Sequence, residues 1–417
     1  MSSNDEIHYL SGKTIVVIGA GIGGLTFSIA FEQILRQING KIDPPPQLIV
    51  YERDPSIDVI GREGYSLSIR GDQLSGGMQI FQKLSILDQM IEESNPGSHF
   101  TLFNNDFTPL MEIRSPPVEG LPQSSIRIAR LKLRQILLKN IPSSIPIHWN
   151  CAVKSAKELE NGKVLIGLSN GSEEECDLLI VADGANSLIR RLLRPEHELH
   201  FAGAVTIAAR THHLEKLPSS LDKTWGGAIG GDGHFLFVAP NDQTSALWSV
   251  SYLSSTPRQV KSAGTINENE IDQILSEAKE RTKVFGELMI TLLKETSRSS
   301  ISVFNANDLT PFHNHGSVIF IGDAQHAMSP FAGNGANMAI MDAYQLAQQL
   351  FHSNDLPTAI QSYDQMSIPR STSAIQMSHR SISIGHSQGI WKFLWVNVLR
   401  MMAWYFGFNY KHDQQSN

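Results

Sequence analysis

The chain has 417 residues, 41% hydrophobic and 18% charged, which is an ordinary globular composition with enough apolar residues for a large core and little disorder. Its formal charge of −7 and the lack of a basic stripe interleaved with aromatic residues argue against a nucleic-acid partner. Its two cysteines, Cys151 and Cys176, are too few for a disulfide framework and match no metal or redox motif.

The two ends of the chain bear on its location. The N-terminal segment is polar and has no signal-peptide pattern, so we expect a cytoplasmic protein. No uninterrupted apolar run of about 18 residues is present, which argues against a spanning helix. Residues 390–408 are crowded with aromatics but interrupted by Lys392, Asn397 and Arg400, as in a helix lying on a membrane surface. The alternative is a C-terminal helix packed on the protein itself.

The chain opens with a predicted strand, a glycine-rich turn and a helix. Residues 14–18 (TIVVI) are a β-branched run, typical of a parallel strand buried on both faces. The turn GAGIGG occupies residues 19–24, and a helical pattern extends over residues 25–38. After a proline-rich loop, residues 47–51 (QLIVY) predict a second strand that ends at Glu52. This is a βαβ unit with a long crossover.

The remaining elements alternate in type along the chain. Helical spacing predicts helices over residues 126–139, 184–193, 268–293 and 335–351, and buried strands are predicted over residues 163–168, 178–181 and 317–321. Residues 201–253 switch to a period of two, which indicates a separate, mainly antiparallel sheet. Dinucleotide-type signals stand at the start, near residue 183 and near residue 323. The cofactor domain is therefore predicted to be discontinuous.

The opening turn fits the dinucleotide motif GxGxxG. Gly19 permits the tight turn out of the strand, Gly21 lets the backbone approach a pyrophosphate, and Gly24 lets the helix pack closely on the sheet. Ile22 and Gly23 complete the turn, and the amides of the helix N-terminus then face the phosphates.

Two residues after the second strand are candidate nucleoside contacts. Glu52 is predicted to accept hydrogen bonds from the ribose hydroxyls, at a longer spacing than usual because of the proline-rich loop. Arg53 is either an adenine-side contact or a surface charge, and the sequence does not separate the two.

A second motif, GDAQHAMSPFAGNGAN, occupies residues 322–337. Its strand delivers Asp323, whose carboxylate can accept a hydrogen bond from a ribityl hydroxyl. The loop from Pro330 through Gly333 to Gly335 is poor in side chains, so backbone can lie against a flat ring. The helix that starts with Ala336 and Asn337 presents its positive end to the negative charge of a reduced flavin.

Other polar residues have less specific patterns. Asp183 either supports the pyrophosphate and the nicotinamide path or caps the following helix. His326 is expected to be packed or hydrogen-bonded to backbone rather than to act as a base. The pairs His212–His213 and His313–His315 lack accompanying carboxylates or cysteines at ligand spacing, so no metal site is expected.

Four separated motifs resemble those of one family. The second motif is similar to the flavin motif of class A FAD-dependent monooxygenases, the para-hydroxybenzoate hydroxylase-like group, and GAGIGGL with YERD is similar to the first motif of that group. Residues 177–187 (DLLIVADGANS) resemble its DG motif, and residues 128–134 (IARLKLR) resemble a segment whose arginine contacts FAD. The resemblance covers roughly residues 10 to 370 and is greatest to the tetracycline-inactivating monooxygenases and their fungal-type relatives.

The resemblance implies a function and further site residues. FAD would be reduced by NADPH or NADH, which docks transiently, and a flavin C4a-hydroperoxide would insert one oxygen atom from O2 into an aromatic, polyketide- or terpenoid-like small molecule. No side chain is expected to be catalytic, because the flavin carries the chemistry. Arg130 would contact FAD, and Arg62, Ser68 and Arg70 would lie beside the flavin ring.

The predicted fold class is α/β: a Rossmann-like FAD-binding domain of the GR2 type with an inserted, mainly antiparallel substrate domain and a C-terminal helix. The FAD domain is predicted over residues 10–75, 120–195 and 300–365, the sheet domain over 76–119 and 196–299, and the helical segment over 366–417. Phe235, Phe237 and Trp248 are candidates for the substrate pocket, with core packing as the alternative for each.

Alternative functions share this fold. An FAD-dependent reductase or saturase and a non-catalytic flavin-binding protein both remain open, whereas the WxWxIP element of a flavin-dependent halogenase is absent from the sequence. We expect a monomer or a weak dimer.

Overall fold

A computed structural model describes residues 8–38, 40, 42–56, 65–94, 99–113, 116–212, 214, 224–241, 244–260 and 266–407. The strands in chain order are β1 (Thr14–Ile18), β2 (Gln47–Tyr51), β3 (Ser66–Arg70), β4 (His99–Asn104), β5 (Pro109–Ile113), β6 (Ser125–Ala129), β7 (Ile147–His148), β8 (Val153–Glu158), β9 (Val164–Leu168), β10 (Glu173–Cys176), β11 (Leu178–Val181), β12 (His200–Arg210), β13 (Thr224–Ile229), β14 (His234–Pro240), β15 (Ala246–Leu253), β16 (Ser302–Asp308) and β17 (Val318–Phe320). The helices are α1 (Ile22–Ile38), α2 (Gly77–Lys83), α3 (Leu87–Glu92), α4 (Arg130–Lys139), α5 (Leu188–Leu193), α6 (Glu268–Arg281), α7 (Gly286–Lys294), α8 (Asp323–His326), α9 (Gly335–His352), α10 (Leu356–Gly385) and α11 (Gly389–Phe406).

The first core is built on a parallel sheet with strand order β17-β11-β1-β2-β7. Alternate residues of its strands enter two different clusters: Val17 packs toward α1 and α9, and Val16 packs toward the β8–β10 meander and α5. Both faces are therefore buried, which explains the uninterrupted apolar runs of these strands. Because the strands are parallel, the loops after β1, β11 and β17 leave the sheet at the same edge.

The second core is built on a seven-stranded sheet with order β16-β12-β15-β14-β13-β4-β5. Its pairs are antiparallel except for β4 and β13, which run parallel. One face packs on α6 and α7 through an apolar cluster that includes Ile274, Met289 and Trp248. The predicted separate sheet is thus present, and β4, β5 and β16 extend it beyond residues 201–253.

Residues 126–139 do not form one helix as predicted. Ser125–Ala129 is a strand that pairs antiparallel with β3, and the helix α4 begins only at Arg130. The β-branched Ile126 and Ile128 alternate with Arg127, so the local period is two, and both isoleucines fill the first core. The predicted helix began too early because the residues after Ala129 have helical spacing.

The predicted domain limits cut through packed elements. Helices α2 and α3 lie in the first core, although residues 76–119 are predicted in the sheet domain, and only β4 and β5 of that segment join the sheet. Helix α10 runs through the predicted limit at residue 366 without a break. The division into domains remains a prediction, and the structure adds which elements pack on which core.

Helix α10 connects the two cores at the C-terminal end, and α11 packs on the large sheet. The first half of α10 contributes Ile360 and Tyr363 to the first core, and Ile382 in its second half packs with Ala204 and Ala306 of the large sheet. Helix α11 packs on β5 and buries Leu399 and Ala403. Across the residues described, no helix has the combined length and hydrophobicity needed to cross a bilayer.

Candidate functional site

The glycines of the loop after β1 have different surroundings. A Cβ on Gly19, whose φ is +101°, would lie 2.6 Å from the carbonyl oxygen of Ala182, and a Cβ on Gly24 would lie 2.0 Å from the carbonyl oxygen of Gly19. The Cβ position of Gly21 has no atom within 4 Å, and that of Gly23 lies 3.6 Å from the Cβ of Ala339. Gly19 and Gly24 are therefore needed for packing, whereas Gly21 borders open space that a phosphate can occupy. Ile22 begins α1 beside them.

Glu52 is buried at the end of β2 and contacts the glycine loop directly. Its carboxylate accepts hydrogen bonds from the amides of Ala20, at 2.6 Å, and Asp54, at 2.9 Å. The structure thus brings the two predicted parts of the nucleoside site together. Arg53 is exposed, and the structure leaves its two interpretations open.

Arg134 of α4 is a site residue that the sequence reasoning missed. It is 4% exposed, donates from Nε to the carbonyl oxygen of Ala20 at 2.9 Å, and pairs with Asp54 at 3.1 Å and with Glu52 at 3.8 Å. Arg134 therefore connects α4 to the glycine loop. The sequence feature that could have identified Arg134 is its position one helical turn after Arg130, on the same face of α4.

Asp323 stands at the end of β17 with a carboxylate that makes no hydrogen bond to the residues described. Burial raises the pKa of Asp323, against the opposing charges of His326 and Arg130. The Cβ position of Gly335 lies 3.7 Å from Asp323 Oδ1, so the start of α9 closes over this carboxylate. A partly buried acceptor without a donor fits a ribityl hydroxyl.

Asp183 occupies the equivalent place after β11. Its Oδ2 accepts from the amide of Leu188 at 3.2 Å, whereas Oδ1 is buried without a partner among the residues described. Burial raises the pKa of Asp183, and the hydrogen bonds from Ser187 and Leu188 oppose that shift. Both sequence interpretations are therefore compatible with the geometry: one oxygen caps α5 and the other is free for a ligand.

The loop between α8 and α9 is held in place from the side of β3. Gly333 is left-handed, with a φ of +63° and no atom within 4 Å of its Cβ position. Asn337 donates to the carbonyl oxygen of Ser68 at 2.9 Å and accepts from the amide of Arg70 at 2.9 Å. The side chain of Arg70 also donates to Asn334. The loop backbone from Pro330 to Ala336 thus has a fixed, side-chain-poor surface, and α9 starts without a side-chain cap.

His326 is paired with a carboxylate below this loop. Its Nε2 lies 2.5 Å from Asp342 Oδ2, and Arg370 of α10 binds the other oxygen of Asp342 at 2.6 Å. Burial alone lowers the pKa of His326, but Asp342 outweighs it and raises that pKa. Asp342 also accepts from the amide of Gly322 at 3.0 Å. His326 is packed, as expected, and the pair positions the turn that carries Asp323.

The face of the large sheet opposite α6 and α7 is aromatic and lies toward the first core. Phe235 and Phe237 lie on it, with Trp225 of β13 6.0 Å from Phe237 between ring centroids. His386, directly after α10, lies 6.1 Å from Phe235 and 5.6 Å from Phe331 between ring centroids, and Phe331 belongs to the glycine-rich loop. His386 therefore links this face to the 330–336 loop.

Trp248 does not lie on this face. Its ring is fully buried on the other side of the sheet, and Nε1 donates to Thr296 Oγ1 at 3.0 Å. Of the two interpretations of Trp248, core packing is the one that agrees with its position.

The remaining residues considered in the sequence are Arg62, Arg130 and the two histidine pairs. Arg62 falls outside the described residues, as does His213. Arg130 starts α4, with its amide donating to the carbonyl oxygen of Tyr65 at 3.1 Å. No group of His, Cys, Asp and Glu able to hold a metal ion occurs in the described part of the chain.

These features fit an extended dinucleotide with a flat ring. The open position at Gly21, the unpaired carboxylate of Asp323 and the bare loop at Gly333 lie along the same edge of the parallel sheet. An uncapped 18-residue helix, α9, points its N-terminus at that edge.

Comparisons with known proteins agree with this geometry. A family model described as FAD binding domain matches residues 63–378. Monooxygenase cfoF of Aspergillus candidus is 33% identical over 393 residues, which cover 91% of this chain and 93% of that protein.

Solved structures with the same fold include Klebsiella pneumoniae HpxO complexed with FAD and uric acid, at a TM-score of 0.76 and 18% identity over 95% of each chain. Tetracycline destructase Tet(51) has a TM-score of 0.64 at 20% identity, covering 94% of this chain and 96% of that one.

Proposed function

The chain belongs to the FAD-binding domain family, as its motifs predict, and from that premise we propose that this FAD-dependent monooxygenase transfers one atom of O2 to a planar aromatic, polyketide- or terpenoid-like molecule. The observation that carries the proposal is the approach of the glycine-rich 330–336 loop to the aromatic face of the large sheet, through Phe331, His386 and Phe235. A side-chain-poor loop facing an aromatic surface is suited to hold a flat cofactor ring and a flat substrate against each other and to exclude water.

The cofactor contacts follow from the three loops. We expect the pyrophosphate at Gly21, Gly23 and the start of α1, the ribose at Glu52, and the ribityl chain at Asp323. Bound FAD supplies the redox chemistry, taking electrons from NADPH or NADH and activating O2. The nicotinamide has no second glycine motif of its own, so it is expected to dock transiently.

Each part of the protein has a defined task in this proposal. The N-terminus of α9 would stabilise negative charge on the pyrimidine side of a bound flavin ring. Asn337 ties the loop to Ser68 and Arg70 of β3, so the loop would present a fixed surface to the ring. Phe237 and Trp225 supply an apolar wall for the substrate, and the Asp342 pair keeps the turn before Asp323 rigid.

Purified protein tests the proposal directly. The protein should be yellow, and its NADPH oxidation should rise when substrate is added, with one oxygen atom from ¹⁸O₂ appearing in the product. Asp323→Ala should lose FAD, whereas Asp88→Ala on α3 should keep it. Product formation under argon would instead favour a reductase or saturase, and a colourless protein that cannot be reconstituted would leave no flavin function at all.

A second proposal concerns location. We propose that α11 rests on a lipid–water interface. Its exposed large apolar and aromatic side chains include Trp404 at 74% and Tyr405 at 75%. The others of this kind are Ile390, Trp391, Phe393, Leu394, Met401, Met402 and Phe406. Trp and Tyr are the residues that favour membrane interfaces. The helix has no acidic residue, and its exposed Arg400 is opposite in charge to an anionic lipid surface, although the chain as a whole is acidic. Lys392 is turned to the protein, where its ammonium donates to Asn105 Oδ1 and to the carbonyl oxygen of Gly230.

Vesicle sedimentation tests this second proposal. Phosphatidylserine-containing vesicles should carry down the protein, pure phosphatidylcholine vesicles less so, and the double variant Trp404→Ser/Tyr405→Ser not at all. Ile290→Ser, which removes an exposed apolar side chain on α7, serves as the matched control. If the protein stays in solution with both vesicles and dimerises through α11 in sedimentation velocity, a second copy covers the helix and the lipid proposal is wrong.

A further inference from the structure

The ribbon formed by β3 and β6 has two unlike faces. One face buries its apolar residues in the first core, and these are Leu67, Ile69, Ile126 and Ile128. The other face carries Ser66, Ser68 and Arg127, and Arg127 reaches the aromatic face of the large sheet. This polar face therefore borders the space assigned to the cofactor ring and the substrate.

Arg127 lies against two adjacent aromatic rings, those of Trp225 and Phe237. Its guanidinium carbon lies 4.4 Å from the ring centroid of Trp225 and 5.3 Å from that of Phe237. The side chain is 6% exposed and donates to Ser68 Oγ at 3.1 Å and to the carbonyl oxygen of Ser66 at 3.4 Å. Both acceptors are neutral, and the buried Nε has no acceptor among the residues described.

Two other buried arginines have partners that offset the cost of burying their charge. Arg134 pairs with two carboxylates, and Arg190 donates to three backbone carbonyl oxygens. Arg127 forms no ion pair with any residue that the structure describes. Burial lowers its pKa to about 9. A buried cation without a counter-charge is costly to the fold, because removal from water is not offset by an attractive partner.

We propose that Arg127 binds an anionic oxygen of the substrate, so that the substrate class is a planar conjugated molecule bearing a phenolate, enolate or carboxylate. The guanidinium offers Nε–H and a second N–H to such a group, and Trp225 and Phe237 keep it oriented. This inference rests on the proposed function, because it places the substrate in the same space. A planar oxyanion is also presented by the pyrimidine edge of reduced flavin, and the experiment separates the two sources.

The test compares a planar acid with its neutral isostere. Holoenzyme is titrated with 2-naphthoate and with 2-naphthamide, and binding is followed by the change in flavin absorbance. Wild type should prefer the acid. Arg127→Gln should weaken acid binding about tenfold to a hundredfold and amide binding less than about threefold, since hydrogen bonds to charged groups are the strong ones. Arg127→Lys should fall between the two, because an ammonium keeps the charge and loses the fork.

Arg281→Gln is the matched control, since Arg281 also stacks on a ring, that of Tyr252, but is paired with Glu277. It should bind both probes as wild type does. Flavin content, melting temperature and reduction potential are recorded for every variant. If Arg127→Gln does not fold, Arg127→Lys decides, and an acid-to-amide ratio equal to that of wild type then counts against the proposal.

Several outcomes overturn the inference while leaving the monooxygenase proposal intact. A wild-type holoenzyme that does not prefer the acid is one. Another is an Arg127→Gln protein that retains the acid preference but has a lowered flavin potential, which would assign the guanidinium to the cofactor. Failure of wild type to bind FAD contradicts the proposed function instead, and it is read from the colour of the protein before any probe is added.

Discussion

In the glycine loop after β1, we predict that two alanine substitutions three residues apart have different effects, one on stability and the other on FAD affinity. In Gly24→Ala the new Cβ would lie 2.0 Å from the carbonyl oxygen of Gly19 and 3.2 Å from Val17 Cγ1. Backbone must move by about 1 Å to relieve the first contact, and overpacking of this kind costs about 3 kcal/mol or more in a closely packed core. In Gly21→Ala the Cβ meets nothing within 4 Å.

We therefore expect Gly21→Ala to change the free energy of unfolding of the apoprotein by less than about 0.5 kcal/mol, as for an unobstructed surface position. The same methyl group occupies space assigned to the pyrophosphate. FAD affinity should accordingly fall about tenfold or more, since each 1.4 kcal/mol of overlap is a factor of ten. Gly24→Ala should lose stability first and FAD only as a consequence.

The assay is urea unfolding of the apoproteins, followed by fluorescence titration with FAD at a urea concentration at which both are folded. Lys279→Ala, on the exposed face of α6, is a control for alanine substitution away from the site. Wild-type FAD affinity in a folded Gly21→Ala protein would refute the placement of the pyrophosphate. An unchanged unfolding midpoint in Gly24→Ala would refute the packing argument.

Three further predictions concern buried groups. Asp342→Asn leaves His326 and Arg370 without a counter-charge and should cost about 3 to 5 kcal/mol in urea unfolding. Burial alone would raise the pKa of Asp342, but His326 and Arg370 lower it to about 2. The contribution of Asp342 to the free energy of unfolding is therefore complete above the unfolded pKa of 3.8 and is lost as pH falls from there through about 2. Urea unfolding at decreasing pH should show this loss for wild type and not for Asp342→Asn. Trp248→Phe should cost roughly 1 kcal/mol or more through the lost bond to Thr296 and leave KM for substrate unchanged, which steady-state kinetics checks. Arg134→Gln should lower FAD affinity about tenfold, because the glycine loop loses the hydrogen bond from a charged side chain. The affinity is measured by FAD titration under conditions in which the variant is fully folded.

The cofactor half of the molecule was readable from the sequence because its signals are local. A buried β-branched run, a glycine turn and an acidic residue at the end of the next strand are each set by neighbours in the chain, and the structure places Glu52 on the glycine loop accordingly. The sheet of residues 201–253 was also readable, since period two is visible in one strand at a time.

What the sequence could not supply depends on contacts between distant segments. The five-residue strand β6 lies directly before a helix, and its partner β3 is about sixty residues earlier, so helical spacing alone extended α4 too far. The aromatic face required knowing which alternate residues of β14 and β15 share a side, and Trp248 faces the opposite way from Phe237. Arg127 belongs to no motif recognised in the sequence, and the partners of Arg134 come from segments distant in the chain.

Helix α10 has a consequence for how the molecule melts. Its N-terminal half completes one hydrophobic core and its C-terminal half touches the other, so neither core can lose this helix without exposing apolar surface in both. The two cores should consequently unfold as one cooperative unit, with a single calorimetric peak whose van't Hoff enthalpy approaches the calorimetric enthalpy. A chain ending at residue 365 should lose that coupling, melt in two steps and release the sheet half first.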